Sequence, residues 1–419
     1  MLLAGSLAGV AALAGGPLNV RDTGDAYVWS TLPIAYRTDN GPLSATVNET
    51  TARGRVQSMF NVWQNVTTSN IAYTRAGFIS ATAGFSDGDV STVAEFNAIE
   101  TDCGNGVQSP IVYDVGATIF IGLGMDETSI IGFAGPCAVN TVAPFQIVSG
   151  HAVMNGLFQD GIDNGVDNLE ITAAEFDAAF IHEFGHFSGL GHSQINVNCQ
   201  AFCGADDLAG LPTMFPVLLD VSMGTLSDDD RAWISRLYPQ ATGGTTFANS
   251  YGTITGTVVF SDGLSHAQGV NVIARRVDTG ANQDRTNAVS AVSGFKFTAN
   301  PGQSVTADYL PCSPAASCPP NGFADDNSGG SANGSRQSAD IGLFEIPVPA
   351  GFAYTVEVES IDPGFNGGSR LGPLDPPVPM PGVAPAPVTT AVVTAGAAVS
   401  VGTIVLTGTD PRFDQFEGP

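Results

Sequence analysis

Three of the five histidines of the chain lie within eleven consecutive positions, together with a glutamate and a glycine. The segment FIHEFGHFSGLGHS contains His182, Glu183, His186, Gly189 and His192. On an α-helix, His182 and His186 are four residues apart and project from the same face, one turn from each other. Neutral imidazole nitrogens are preferred ligands of Zn²⁺. The spacing therefore predicts two histidines of one helix bound to one metal ion.

The third histidine must reach the metal from outside this helix. Gly189, three residues after His186, can adopt the positive φ that ends a helix, so the chain can turn back and present His192. Three neutral nitrogens leave one tetrahedral position open, as in a catalytic zinc site. Glu183 lies about 100° around the helix, within reach of a water at that position. We predict that His182, His186 and His192 bind Zn²⁺ and that Glu183 is catalytic.

The predicted chemistry is hydrolysis of an amide bond. A bound metal lowers the pKa of its water and polarises the scissile carbonyl. Glu183 accepts the proton as general base and later donates it to the leaving amine. The alternative is an amphipathic helix with ordinary histidines, but a chance match at all five motif positions is improbable at ordinary residue frequencies. His151 and His266 have no such spacing and are interpreted as ordinary polar residues.

The zinc-binding segment requires a helix with a buried face. Residues 173–190 contain no proline, and Thr172 can cap the start of the helix with Glu175. A second helix is predicted from about 45 to 66, where apolar residues recur at steps of three and four. A last helix starts in LSDDDRAWISRLYP, with Ser227 as N-cap and Asp230 at the third position.

Strand patterns surround these helices. YVWSTLPIAYRTD, IAYTRAGF and PIVYDVGATIF are predicted strands, and PFQIVSGHAVMN is predicted as a further strand near the edge of a sheet. The order of elements predicts an α+β domain over residues 17–240. A Gly/Thr/Ser linker follows at 241–250.

The pattern after the linker is β only. Its strand-like runs are GTITGTVVF, GVNVIARRV, GLFEIPVPAG, YTVEVESI and AAVSVGTIVLTG. They predict an all-β sandwich over 251–410, with an insertion at 310–340 and a tail at 411–419. Residues 251–410 contain no cluster of residues with catalytic spacing.

Composition and charge exclude several classes of partner. Forty acidic and fourteen basic residues give a net charge of −26, which would repel nucleic acid and anionic membranes. Residues 1–16 are apolar, are too short to span a membrane and carry an A-x-A pattern at 12–14. They predict an export signal, although they lack a basic start, and a disordered apolar N-terminus is the alternative. We expect a soluble, secreted, extracellular monomer without a membrane span.

The six cysteines fall in three near pairs. They are Cys103 with Cys137, Cys199 with Cys203, and Cys312 with Cys318. An even number of cysteines in loop-like surroundings predicts disulfides and an oxidising compartment. Free thiols or a cysteine-based metal site are the alternatives.

An acidic loop precedes the zinc-binding helix. DGIDNGVDNLE contains Asp160, Asp163, Asp167 and Glu170, and oxygen ligands at such short spacing suit Ca²⁺. A structural calcium site is one interpretation of this loop, and a solvated acidic turn is the other.

The motif His182-Glu183-x-x-His186-x-x-Gly189-x-x-His192 resembles the signature of the metzincin zinc peptidases. The resemblance implies that the fold of this domain is a twisted mixed sheet plus three helices. It also implies that Met214 forms the Met-turn, a loop packed under the zinc ligands. Ser193 after the third histidine and the final LSDDDRAWISRLYP helix resemble the matrixin branch, over about 25–240. Two features depart from relatives. No cysteine-switch motif precedes the domain, and Pro216 stands where astacin and serralysin relatives carry a tyrosine.

The strand runs after the linker resemble a carboxypeptidase-regulatory, transthyretin-like sandwich, which implies a stability, spacing or binding module. Together the residues and the resemblance predict a secreted zinc endopeptidase that cleaves protein or peptide substrates. One alternative is a surface or matrix-binding protein that uses the β-sandwich, with a vestigial peptidase domain. Another is a zinc hydrolase that acts on a non-peptide amide.

Overall fold

The chain packs into two compact units. The computed structural model describes residues 16–19, 25–140, 142–163, 170–193, 195–196, 199, 204–259, 263–264, 270–277, 286–293, 342–359 and 386–406. The first unit contains Tyr27–Leu190 and Val217–Leu226. The second contains Gly191–Pro216, the described residues from Ser227 onward, and 16–19 with 25–26. The domain boundaries expected from the sequence stay a prediction.

The first unit is built on one mixed sheet. Its strands are β1 (Val28–Trp29), β2 (Ile34–Thr38), β3 (Tyr73–Phe78), β4 (Pro110–Asp114), β5 (Gly132–Val139) and β6 (Gln146–Asn155). Their order is β1-β6-β4-β2-β3, with parallel pairing along this path. Strand β5 pairs with β6 in the antiparallel direction. The strand predicted over 144–155 forms as β6, which has partners on both sides, and its nearly continuous burial fits this interior place. Among the described strands, β5 pairs with β6 alone, so β6 lies one strand from that edge, near the edge as predicted.

The described residues of the first unit form four α-helices. They are α1 (Glu49–Gln64), α2 (Val93–Gly104), α3 (Thr118–Gly122) and α4 (Ala173–Phe187), with 3-10 turns at 156–159 and 221–224. Helices α1 and α4 were predicted from the sequence. Helix α2 was not, although Thr92 and Glu95 form a capping box before buried Phe96 and Ile99.

The segment PIVYDVGATIF is only half a strand. Strand β4 ends at Asp114, and the predicted strand over the rest is wrong, because α3 begins at Thr118. The Asp114 carboxylate accepts hydrogen bonds of 2.7 and 3.1 Å from the backbone N–H groups of Ile119 and Phe120. This contact satisfies free donors at the helix start and so favours helix over strand.

Aromatic packing fixes α1 against α4. The rings of Phe60 on α1 and Phe184 on α4 stack with centroids 3.9 Å apart and planes 6° from parallel. Beside them, the indole N–H of Trp63 donates a 2.7 Å hydrogen bond to the carbonyl of Ile181. Burial of one such ring contributes about 1.5–3 kcal/mol. The helix that carries the first two histidines is therefore held along its length by the core.

The second unit is rich in strands. They are β7 (Tyr251–Val259), β8 (Asn271–Arg276), β9 (Ala288–Val292), β10 (Leu343–Pro349), β11 (Tyr354–Glu359), β12 (Val388–Thr389) and β13 (Ala398–Val405). One sheet has the order β10-β7-β13 and the other β12-β11-β8-β9. The five predicted strand runs correspond to β7, β8, β10, β11 and β13. Strands β9 and β12 were not predicted.

In the part of the second unit that the structure describes, three helices accompany these sheets. They are α5 (Ala205–Ala209), α6 (Asp228–Leu237) and α7 (Phe247–Ser250). Helix α6 starts as predicted, with Ser227 as N-cap in a capping box with Asp230. It packs against β9 and β10, and α7 lies in the segment predicted as a linker. Among the described residues, we find no helix with the length and apolar character that membrane crossing requires.

Candidate metal centre

Helix α4 begins at a strong local signal. The Thr172 hydroxyl accepts from the backbone N–H of Glu175 at 3.2 Å, and the Glu175 carboxylate accepts from the N–H of Thr172 at 2.8 Å. These two bonds satisfy donors that have no partner within the helix. Because they fix the first turn, they also fix which residues face the core further along the helix.

The end of α4 brings the chain back toward the helix. Gly189 has a φ of +91°, which a residue with a side chain rarely adopts. Its N–H donates to the carbonyl of His186, and the N–H of Leu190 donates to the carbonyl of Gly185, both at 2.9 Å. This pair of bonds is a Schellman motif with glycine at C′. The helix ends at Phe187 with Ser188 as its C-cap, and Gly189 supplies the predicted positive φ at this end.

The three predicted metal ligands come together in the structure. His182, His186 and His192 are all buried, and one side-chain nitrogen from each lies within 4.8 Å of the others. The rings of His182 and His186 are 4.7 Å apart and nearly perpendicular. A triad of this kind can hold one metal ion and leave a fourth position open.

A backbone carbonyl orients one of these rings. Nδ1 of His186 lies 2.8 Å from the carbonyl oxygen of Leu190. Since that oxygen can only accept, Nδ1 carries the proton and Nε2 keeps the lone pair that a metal requires. Contacts of this kind fix the tautomer and the direction of a ligating histidine.

Burial also keeps His186 neutral. Loss of solvation, reinforced by the neighbouring His182, lowers the pKa of the His186 imidazole to about 3, while the Leu190 carbonyl acts in the opposite direction. A histidine binds a metal in its neutral form, so no proton has to be displaced from His186 at neutral pH.

Glu183 presents one carboxyl oxygen without a hydrogen-bond partner. The side chain is buried, and its carboxylate accepts from the backbone N–H of Ala134 on β5. Within the described part of the chain, no group bonds to its other oxygen, Oε2. Burial raises the pKa of Glu183 well above its usual value. A buried carboxyl oxygen without a partner, on the residue that follows His182, is what a metal site with a bound water would require.

Met214 is tied to the segment of the third histidine. Its carbonyl accepts a 2.7 Å hydrogen bond from the N–H of Ser193, which follows His192. The carboxylate of Asp230 accepts from the N–H groups of Thr213 and Met214 at 2.8 and 3.0 Å. Met214 itself is buried. The sequence predicted Asp230 only as a cap of its own helix and had no signal for this second contact.

The predicted disulfides are described only in part. Cys103 on α2 and Cys137 on β5 form a disulfide, with Cα atoms 5.5 Å apart. Cys199 is also disulfide-bonded. The remaining three, Cys203, Cys312 and Cys318, lie outside the described residues, as does His266.

The acidic loop is described on both sides of 164–169, which includes Asp167. The N–H of Gly161 donates to the Glu170 carboxylate at 3.1 Å, and that of Ile162 donates to Asp160 at 2.7 Å. Burial, followed by the charges of Asp160 and Asp163, raises the pKa of Glu170. These carboxylates therefore lie near one another, and Ca²⁺ binding by this loop stays a prediction.

A second group of side chains with metal-ligand chemistry lies near the disulfide. It contains Glu100, Cys137 and His151. The Cys137 sulfur is already bonded to Cys103, so it is no thiolate ligand. Nδ1 of His151 lies 2.8 Å from both carboxylate oxygens of Glu100. We interpret this group as a histidine–carboxylate pair beside a disulfide.

Comparison of the chain with models of known protein families finds no match, and comparison with curated proteins finds none either. The function proposed below is therefore argued from the residues of the site.

Proposed function

We propose that this chain is a zinc-dependent endopeptidase of the matrixin-like metzincin type. The observation that carries the proposal is the buried triad of His182, His186 and His192, whose nitrogens lie within 4.8 Å of one another. Three neutral nitrogens suit zinc, and three rather than four protein ligands are typical of catalytic sites. Glu183, in the same segment, adds a buried carboxyl oxygen with no partner among the described residues.

The chemistry of a zinc site supports amide hydrolysis. When bound, zinc would lower the pKa of a coordinated water and polarise the carbonyl of the substrate. Glu183 supplies the proton transfers, since Oε2 is available to accept a proton from water and return it to the leaving amine. The Ala134 N–H holds the other oxygen and so orients the carboxyl group.

We further propose that the enzyme acts outside the cell, as a monomer, on proteins or peptides. The disulfide between Cys103 and Cys137 supports an oxidising compartment. The net charge of −26 argues against nucleic acid as a substrate. Structural calcium at the acidic loop of 160–170 belongs to the same proposal.

The test is metal analysis of the purified chain combined with cleavage of a peptide library, with and without a zinc chelator. We expect one zinc per chain, internal cleavage of peptides, and loss of cleavage when zinc is removed. His186→Gln should abolish both zinc retention and cleavage. His151→Gln is the matched control and should retain both, because His151 pairs with Glu100 outside the triad.

The outcomes also separate the alternatives. Cleavage that persists after verified zinc removal would overturn the proposal. Zinc retention without cleavage of any peptide, but with hydrolysis of small non-peptide amides, would assign the chain to a different class of zinc hydrolase. Zinc retention with neither activity would favour a binding protein with a vestigial peptidase domain.

A further inference from the structure

Strand β9, in the sheet of order β12-β11-β8-β9, contacts Ser193, the residue that follows the third histidine. The N–H of Ser290 on β9 donates a 2.7 Å hydrogen bond to the carboxylate of Asp229 on α6. The same carboxylate accepts from the side chain of Ser193. The hydroxyl of Ser290 is also 3.3 Å from that of Ser193. Three residues far apart in sequence thus meet at one buried carboxylate, which we call the Asp229 junction (Ser193, Asp229 and Ser290).

The Asp229 junction is fully buried. Ser193 and Ser290 have no exposed surface, and Asp229 is 2% exposed. The indole N–H of Trp233, one turn after Asp229 on α6, donates to the carbonyl of Ser290 at 2.7 Å. Ser290 is therefore bonded to α6 through both its N–H and its carbonyl, which leaves it little freedom to move.

A second contact ties the same chain segment to the neighbouring strand. The guanidinium of Arg275 on β8 donates a 2.9 Å hydrogen bond to the side chain of Asn196. A small apolar cluster of Ile195, Ile273 and Ala288 lies alongside it. The segment that begins at His192 is therefore held by β8 and β9 as well as by the Met214 loop.

We propose that Ser290 is a positioning residue for the metal site and acts on His192 through Asp229 and Ser193. The inference rests on the proposed function, because it concerns the third ligand of the proposed zinc site. His192 precedes Ser193 directly, so the anchor of Ser193 sets where the backbone of His192 lies. The sheet that contains β9 then supports the third ligand of the metal site, and the affinity for zinc depends on this sheet.

Residues that hold metal ligands in position affect the affinity of a site for its metal. Groups that orient ligands typically change metal affinity 10–100-fold when they are replaced. Asp229→Ala removes every contact that the carboxylate makes at the junction, and we expect it to weaken zinc binding about tenfold. Ser290→Ala removes the hydroxyl contacts but leaves the N–H bond to Asp229, so we expect a loss of about threefold.

Ser293 offers a matched control in the same unit. It follows β9, is fully buried like Ser290, and its hydroxyl accepts from the N–H of Val270 at 2.9 Å. Ser293→Ala removes a hydroxyl that does not belong to the junction. It should lower the unfolding temperature, as Ser290→Ala does, and leave zinc affinity within about twofold of the parent chain.

The experiment measures the zinc dissociation constant of each full chain by competition with a chelator, well below the unfolding temperature of its metal-free form. Weaker zinc binding in Asp229→Ala and Ser290→Ala, but not in Ser293→Ala, supports the inference. If Asp229→Ala does not fold, the comparison of zinc affinity between Ser290→Ala and Ser293→Ala still tests the inference. Equal zinc affinity in the two serine variants would overturn this inference but would leave the proposed function unaffected. A parent chain that takes up no zinc would overturn the proposed function and the inference with it.

Discussion

The carbonyl oxygen of Leu190 accepts a 2.8 Å hydrogen bond from Nδ1 of His186, four residues earlier. The N–H of Leu190 bonds at the same time to the carbonyl of Gly185. The residue that closes the helix thus also orients a proposed zinc ligand. Both contacts require the positive φ of the intervening Gly189.

Gly189→Ala should therefore reduce stability and zinc affinity together. An alanine at a φ of +91° costs about 1–2 kcal/mol, because its Cβ crowds the backbone in the left-handed region. We expect a lower free energy of unfolding in urea and weaker zinc retention. Gly54→Ala is the control, since Gly54 lies inside α1 with open space around it. That variant should gain about 0.5–1 kcal/mol. A loss of similar size in both variants would contradict this account of Gly189.

Asp230→Ala should be one of the most destabilising changes in α6. The carboxylate accepts from the N–H and the hydroxyl of Ser227, and from the N–H groups of Thr213 and Met214. Its removal abolishes a helix cap and leaves buried donors unsatisfied, which together cost about 2–4 kcal/mol. Urea unfolding measures this loss. Asp220→Ala removes a cap from an exposed 3-10 turn and should cost about 1 kcal/mol or less. Comparable losses would argue against the role given to Asp230.

The site was predictable where its signals are local. The four metal-site residues lie within eleven positions, and the Thr172–Glu175 capping box lies on the same helix. Helix periodicity and capping chemistry act over three or four residues, so a sequence displays them directly. The backbone donor to Glu183 comes instead from Ala134, on a strand that was not predicted. Nothing near either residue indicates that contact.

Long-range contacts of the fold were likewise not predicted. The bond between Asp229 and Ser290 joins residues 61 positions apart, and no pattern near either residue indicates it. The parallel partners of the strand over 146–155 are β1 and β4, which lie far from it in the sequence, so its place inside the sheet was not predicted. Such contacts depend on tertiary packing, which local patterns do not encode.

Asp39 should make stability depend on pH. Its carboxyl is buried and accepts backbone hydrogen bonds from Gly41, Val90 and Tyr113. Burial is the main cause that raises its pKa from 3.8 to about 7 in the folded chain. The group then binds its proton more tightly in the folded state. Its contribution to stability is fully present below about pH 3.8 and is lost as the pH rises to about 7.

This dependence is measurable by urea unfolding of the parent chain and of Asp39→Asn between pH 4 and pH 7. The difference in unfolding free energy between them should change by up to about 1.4 kcal/mol per pH unit in that window. Asp126→Asn is the control, because hydrogen bonds from Thr128 and Ser129 lower the pKa of Asp126. Its effect should appear only at more acidic pH. Parallel pH profiles for the parent chain and Asp39→Asn would rule out this role of Asp39.

Loss of the Cys103–Cys137 disulfide should destabilise the first unit. The bond joins α2 to β5 across a sequence separation of 34. Replacement of both cysteines by serine removes a constraint on the unfolded chain, which typically costs about 2–4 kcal/mol. The midpoint of urea unfolding reports this loss. An unchanged midpoint would show that the cross-link does not contribute to stability.

The most direct test of the central claim is the cleavage rate of Glu183→Gln loaded with one zinc per chain. Glutamine keeps the size of the side chain but does not act as a general base. The zinc proposal therefore predicts retained zinc, an intact fold and a rate about 10²–10⁴-fold below that of the parent chain on the same library peptide. A zinc-loaded Glu183→Gln chain that cleaves the peptide at the parental rate would contradict the account.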